Sequence, residues 1–279
     1  MSFDGISNLG SLPITSNEFS QFRDLIYQVA GIHLSDAKRV LLVGRLSKRL
    51  KELNLHTFTQ YFKHVTGPGA SDELQVMVDL LTTNETYFFR EPKHFEFLHK
   101  EAARPRASAG GSFRVWSAAS STGEEAYSIA MVVAEALGSS PWEVVGTDIS
   151  TQVLAKAERG HYTMDRISGI PQQYLKKYCL KGMKEQSGTI LVCRELRERV
   201  RFLQSNLLSP DQGVGKFDVI FLRNVMIYFD NPTKTKVISN LLPFLKNDGH
   251  FVVGHSETLS GITDSLTATQ PTIYRRVHR

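Results

Sequence analysis

The sequence predicts an α/β protein: a small all-helical N-terminal domain, then a domain built on a mostly parallel sheet, with a short antiparallel β insertion. Three observations predict it. Residues 16–81 carry apolar side chains at helical spacing. From residue 113 short apolar strands alternate with amphipathic helices, the succession that buries a parallel sheet between helical layers. Between about residues 162 and 202 that rhythm breaks into short β-like segments. A chain of 279 residues is long enough for two such domains.

In order along the chain, residues 1–15 mix Gly, Ser, Asn and Pro and read as a flexible lead-in. Ser16 or Asn17 caps the first helix, where Phe19, Phe22, Ile26 and Val29 share a face, and Gly31 ends it. Ser35 or Asp36 starts a second helix with a stripe of Val43, Leu46, Leu50 and Leu53. Around that stripe lie Lys38, Arg39, Arg45, Lys48, Arg49 and Lys51, with no acid among residues 38–51. A third helix near 57–65 stops at Gly67-Pro68-Gly69, and a fourth spans 71–81. Residues 82–110 connect the domains through TTNETYFFREP, a helix near 93–103, and the small-residue linker RPRASAGG.

The sheet domain, 111–279, opens with the strand FRVWSAA, followed by a helix behind Gly123. WEVVGTDI is the next strand, and its helix ends at Gly160. FDVIFLRN is a buried strand, a helix runs over 232–246 with Asn231 as its cap, and GHFVVGHS is a further strand. TILVCREL and RVRFLQ read as antiparallel strands of the insertion. Sheets of this Rossmann-like kind bind ligands at the C-terminal ends of their strands.

Composition narrows the function classes. The longest apolar runs, such as Val40 to Val43 and Val219 to Leu222, are far short of the roughly 20 residues a membrane span needs. The opening MSFDGISNLG is polar and has no secretory pattern, so a cytoplasmic protein is expected. Cys179 and Cys193 form no CxxC pair and have no His or Cys cluster at ligand spacing, so they read as small apolar residues and no metal is expected. The net charge of +5 allows an acidic protein, a nucleic acid or an anionic surface as partner. The motifs GxGxxG, GxxxxGK[ST] and (N/D)PP(Y/F) are all missing, which weighs against a dinucleotide oxidoreductase, an ATPase and a nucleic-acid N-methyltransferase.

Two places carry candidate chemistry. In VWSAASSTGEE the strand ends in a small-residue loop before Gly123, which is either a tight turn or a place where a ligand approaches the backbone. Glu124 and Glu125 at the helix start would repel a pyrophosphate and suit a cationic, hydroxyl-bearing ligand. Asp148, at the end of the second strand, either caps the next helix or accepts from ribose hydroxyls. A phosphate-free nucleoside with a positive centre, such as S-adenosylmethionine, satisfies both.

TTNETYFFREP, RVWSAASSTGEEAYSIAM, GTDIS, RNVMIYFD and GHSE together closely resemble the CheR family of chemotaxis receptor methyltransferases, over nearly the whole chain. The resemblance implies a class I S-adenosylmethionine-dependent methyltransferase that converts receptor glutamates to γ-methyl esters, releasing S-adenosylhomocysteine. It implies cofactor contacts at Asn84, Thr86, Arg90, Glu125, Asp148, Asn206, Leu207, Arg223 and Asn224. The one departure noted is Ala126, where some relatives carry proline. A glutamate is already ionised at neutral pH, so the reaction needs alignment more than acid–base help. Arg90 is the expected clamp on the acceptor carboxylate. Tyr228 is either a hydrogen-bond donor near the methyl group or a packed aromatic beside Phe229. The basic helix, through Arg45, Lys48 and Arg49, is either a solvated face or a dock for acidic receptor helices. The expected partner is the cytoplasmic part of methyl-accepting receptors, in membrane arrays, without membrane insertion or nucleic-acid binding. In some relatives the β insertion also takes a receptor C-terminal peptide by strand addition.

Overall fold

The computed structural model describes residues 12–105 and 111–277, so most of the expected lead-in and part of the linker RPRASAGG lie outside the described residues. The chain divides into two compact units, one ending at Thr83 and the other beginning at Asn84.

The first unit holds α1 (Ser16–Ala30), α2 (Arg39–Glu52), α3 (Phe58–Thr66) and α4 (Ser71–Leu81). The cap of α1 is Thr15, not Ser16 or Asn17. A capping box needs Glu or Gln three residues after the cap, and only Thr15 has one, in Glu18. Thr57 and Gln60 repeat the device at α3. The other oxygen of Glu18 accepts from Thr59 N and Oγ1 at 2.8 and 2.7 Å, fastening α1 to α3. On α2 the buried apolar row is Leu42, Leu46 and Leu50, with the expected Val43 and Leu53 only half-buried. The i, i+4 row of leucines therefore sets the phase of that helix. Phe22 anchors the core against the rings of Phe58, Tyr61 and Phe62, at 6.1, 5.9 and 5.4 Å.

The second unit begins with α5 (Pro92–Ala102), β1 (Phe113–Ser117), α6 (Glu124–Leu137), β2 (Trp142–Asp148) and α7 (Thr151–Arg159). Then come β3 (His161–Thr163), α8 (Gln172–Tyr178), β4 (Cys179–Lys181), β5 (Thr189–Val192), α9 (Arg194–Arg197) and β6 (Val200–Gln204). It ends with β7 (Phe217–Leu222), α10 (Asn231–Leu241), β8 (Leu245–Val253), β9 (Leu266–Gln270) and β10 (Ile273–Arg276). The main sheet has the order β6-β2-β1-β7-β8-β10-β9. Its first five strands are parallel, and β10 and β9 add antiparallel at one edge. From β1 the chain moves outward to β2 and β6, then crosses back to β7 and β8. The crevice of such a sheet opens at this reversal, beside the end of β1.

Three expectations change. RVRFLQ is not part of the insertion: it is β6, paired parallel to β2 at the sheet edge. Its alternating burial is that of an edge strand with one covered face, which looks antiparallel in sequence. The insertion is the smaller sheet β3-β5-β4, antiparallel as expected. The helix expected over 232–246 is α10, which ends at Leu241 because Pro243 forces a short 3-10 turn before β8. Its cap is Asp230 rather than Asn231, accepting from Thr233 N at 2.9 Å. Both cysteines are free and half-buried. Among the described residues no helix is long and apolar enough to cross a membrane.

Candidate cofactor and methyl-transfer site

The site grows from the ends of β1, β2, β6 and β7. After β1 the chain turns through Ala118–Thr122 to Gly123, whose φ of 94° is open to glycine. A Cβ there would also lie 2.8 Å from Ala157 Cβ and 2.9 Å from Tyr162 Oη, so the position tolerates no side chain. Ser121 N donates to Asp148 Oδ2 at 2.9 Å, and Ser150 N to Asp148 Oδ1 at 3.0 Å. Asp148 is thereby fixed between the two loops at the end of β2. Beside it Gln204 closes the pairing of β6, and Asn206 follows two residues later. Asn206 turns its Oδ1 to Leu208 N at 2.9 Å, while Leu207 is buried.

The segment before α5 packs by its aromatic side chains. Phe88 is fully buried, edge-on to Tyr162 at 4.9 Å, and Phe89 N donates to Ser128 Oγ at 3.0 Å. The carbonyl of Asn84 accepts from Ser121 Oγ at 2.9 Å, and that of Thr86 from Arg166 Nη2 at 3.2 Å. Asn84 and Thr86 are half-buried here. Phe89 and Glu91 have φ of 55° and 61°. Left-handed backbone at two non-glycine residues costs about 1–3 kcal/mol each and is characteristic of functional segments. Arg90 lies half-buried between them, its guanidinium 5.6 Å from the ring centre of Tyr87. It has no carboxylate partner among the described residues.

Arg223, just past β7, is the hub. Its side chain is 1% exposed. Nη1 reaches Glu125 Oε2 at 3.0 Å, and Nη2 reaches Glu91 Oε2 at 3.0 Å and the Arg90 carbonyl. Burial works to raise the Glu91 carboxyl, but Arg223 and further hydrogen-bond donors outweigh it and hold the group below its ordinary range. Burial wins at Glu125, which is raised although Arg223 and Ser117 pull the other way. Asn224 sits at φ 56°, with Nδ2 3.3 Å from Glu91 Oε1. Tyr228, half-buried on a 3-10 turn, has a hydroxyl with no partner among the described residues.

The paired acids at the start of α6 both have partners within the chain. Glu124 is fully buried and faces the insertion, bonded to Arg166 and, at 2.6 Å, to Thr122 Oγ1. Glu125 is taken by Arg223. A buried carboxylate needs such partners, so both acids are held by groups of the chain itself. Sequence reasoning also missed Glu91 and Glu257. Glu257 accepts from Gly254 N, Asn224 N and Met226 N at 2.7, 2.8 and 2.9 Å, and so shapes the turn that presents Asn224 and Tyr228. Both acids lie inside TTNETYFFREP and GHSE, but the partners that tie them into the site, Arg223 for Glu91 and Asn224 and Met226 for Glu257, are distant in sequence.

Residues 17–82 match the family model described as CheR methyltransferase, all-alpha domain, and residues 84–275 match CheR methyltransferase, SAM binding domain. The chain belongs to the CheR methyltransferase family. It is 42% identical to "Chemotaxis protein methyltransferase 2" of Pseudomonas aeruginosa, over 93% of each chain. It is 42% identical to "Chemotaxis protein methyltransferase" of Escherichia coli, over 94% of this chain and 92% of that one. A protein of the same name in Borreliella burgdorferi is 36% identical over 95% of this chain and 96% of that one. Within the CheR sheet unit, Asn84, Asp148, Asn206, Arg223 and Asn224 all stand at or beside the C-terminal ends of β1, β2, β6 and β7. Among the residues expected to meet a receptor, Arg45 donates to the carbonyls of Leu81 and Thr82, each at 2.8 Å, and Arg49 forks onto Glu73. Lys48 is exposed.

Proposed function

We propose that this protein transfers a methyl group from S-adenosylmethionine to glutamate carboxylates of chemotaxis receptors, giving γ-methyl esters and S-adenosylhomocysteine. The observation that carries the reading is Asp148, held by two backbone N–H groups at the reversal of a parallel sheet, within a SAM binding domain of the CheR family. In this reading Asp148, oriented by these bonds at the strand end, takes ribose hydroxyls. The cofactor supplies an electrophilic methyl on a cationic sulfur. The chain's residues supply position. Asn84, Thr86, Asn206, Leu207 and Asn224 border the crevice. Arg223 and Glu125 are committed to each other, so they act by fixing Glu91, the Arg90 backbone and Asn224. Arg90 holds the acceptor carboxylate, and Tyr228 donates a hydrogen bond beside it. No proton moves, because the attacking carboxylate is already ionised.

Receptor docking on the helical unit uses the exposed side of α2, which carries the 83%-exposed Val40 near its start and the exposed Lys48 and Lys51 near its end. Arg45 and Arg49 serve the unit's own packing instead. A receptor C-terminal peptide adds to the outer edge of β4, where Leu180 is 59% exposed. This brings the enzyme to receptor arrays.

The test is incubation with methyl-labelled S-adenosylmethionine and receptor-bearing membranes, then alkali. Receptor-bound label that leaves as methanol supports the reading; base-stable label, or none, overturns it. Arg90→Lys should keep cofactor affinity and lose turnover, whereas Asp148→Ala should weaken cofactor binding in calorimetry. An Arg90→Lys enzyme with full rate removes Arg90 as the clamp.

A further inference from the structure

Glu91, His94 and His255 bring one ligating atom each to within 4.8 Å of one another. Glu91 precedes α5, His94 lies in its first turn, and His255 follows β8. The contacts around His94 favour one tautomer over the other. The Thr272 hydroxyl donates its only proton to the Pro271 carbonyl at 2.6 Å. With that proton on the Pro271 carbonyl, Thr272 Oγ1 accepts from the His94 tautomer that carries its proton on Nε2, 2.7 Å away. His94 Nδ1 is then a bare lone pair. Its side chain is 2% exposed, and Nδ1 has no hydrogen-bond partner among the described residues. It faces Glu91 Oε2, another acceptor, at 3.3 Å. His255 Nε2 lies 4.0 Å from that same oxygen. Acceptors buried face to face repel unless a cation stands between them.

We propose that Glu91 Oε2, His94 Nδ1 and His255 Nε2 bind a divalent transition-metal ion of the zinc type. Zinc bonds of about 2.0–2.1 Å at tetrahedral angles separate ligand atoms by roughly 3.3–3.4 Å. The His94–Glu91 pair already stands at 3.3 Å. The His255 ring, 52% exposed, closes on the other two ligands from 4.0 Å at Glu91 and from no more than 4.8 Å at His94, and opens the site to solvent, which completes the coordination. Two imidazoles and one carboxylate select a borderline-soft ion over magnesium or calcium. Thr272 plays the part of the outer acceptor that orients a metal-binding imidazole. Glu91 Oε2 keeps its bond from Arg223 on its second lone pair, and Glu125 balances the guanidinium on the other side. Residue 255 is too far from 91 and 94 in sequence for ligand spacing to reveal the set. Nothing in the methyl-transfer reading requires this ion.

The untagged full chain, stripped with a chelator, is titrated with Zn2+ alone by calorimetry, and with Co2+ for its visible absorption. One ion per chain with a micromolar or tighter Kd is expected, with a melting temperature that rises with zinc. His255→Ala removes an exposed ligand and should weaken binding roughly tenfold or more. Thr272→Val should weaken it by roughly 10–100-fold while leaving all three ligands in place. No binding below millimolar zinc, or binding unchanged in His255→Ala, overturns the proposal.

Discussion

Replacing Glu257 by Gln tests how the turn after β7 is held. Glu257 is 8% exposed and collects three backbone N–H groups, two on Oε2 and one on Oε1. The best-placed glutamine keeps its carbonyl at the Oε2 position and sets its NH2 against Met226 N–H, donor to donor at 2.9 Å. One buried donor left unsatisfied costs about 1–3 kcal/mol. The two surviving bonds lose charge assistance, about 1 kcal/mol each. With partial relaxation the variant should unfold about 2–4 kcal/mol more easily in urea, and Asn224 should loosen enough to weaken cofactor binding. Glu257→Asp withdraws the carboxylate by about 1.5 Å, one C–C bond, and should lose the same contacts despite keeping the charge. The assays are urea unfolding by circular dichroism and calorimetry with S-adenosylmethionine. A Gln variant within about 0.5 kcal/mol of the parent, with unchanged cofactor Kd, would show that the carboxylate does not hold this turn.

Arg223→Met strands Glu91 and Glu125 in the interior and should cost about 3–5 kcal/mol of stability; a variant as stable as the parent in urea refutes the hub. Acid should weaken the helical unit through Glu73. Burial raises its carboxyl, but hydrogen bonds from Arg49 and Tyr61 hold it below its ordinary value of 4.5. A depressed carboxyl stabilises above the unfolded value and loses that contribution as pH falls through the folded one. Thermal melts should therefore fall below about pH 4.5, and less steeply in Glu73→Gln. Lys48→Glu with Lys51→Glu should raise KM for receptor several-fold at low salt with little change in kcat, and an unchanged KM removes α2 as the dock.

The parallel sheet and the helical unit were legible because their signals are local: period, glycine stops, and strand–helix alternation. β6 was assigned to the wrong sheet because pairing partners are set by tertiary contacts, and an edge strand alternates like an antiparallel one. The site was legible as positions and not as roles. Asp148 at a strand end follows from topology. That Arg223 is spent on two acids, that Glu124 belongs to Arg166, and that Arg45 and Arg49 are engaged within their unit depends on contacts across the chain. Charge counts along a helix cannot show which charges are already neutralised.

The Arg223 hub joins residues 98 and 132 positions away in sequence, and Glu257 adds a clasp 33 positions beyond Asn224. No short stretch of chain contains a working part of the crevice. During synthesis, which runs N-terminus first, the pocket cannot close until β8 and the turn after it have left the ribosome. Cofactor capture is thus a report of completed folding, and a prematurely ended chain holds most of the recognisable motifs without being able to use them.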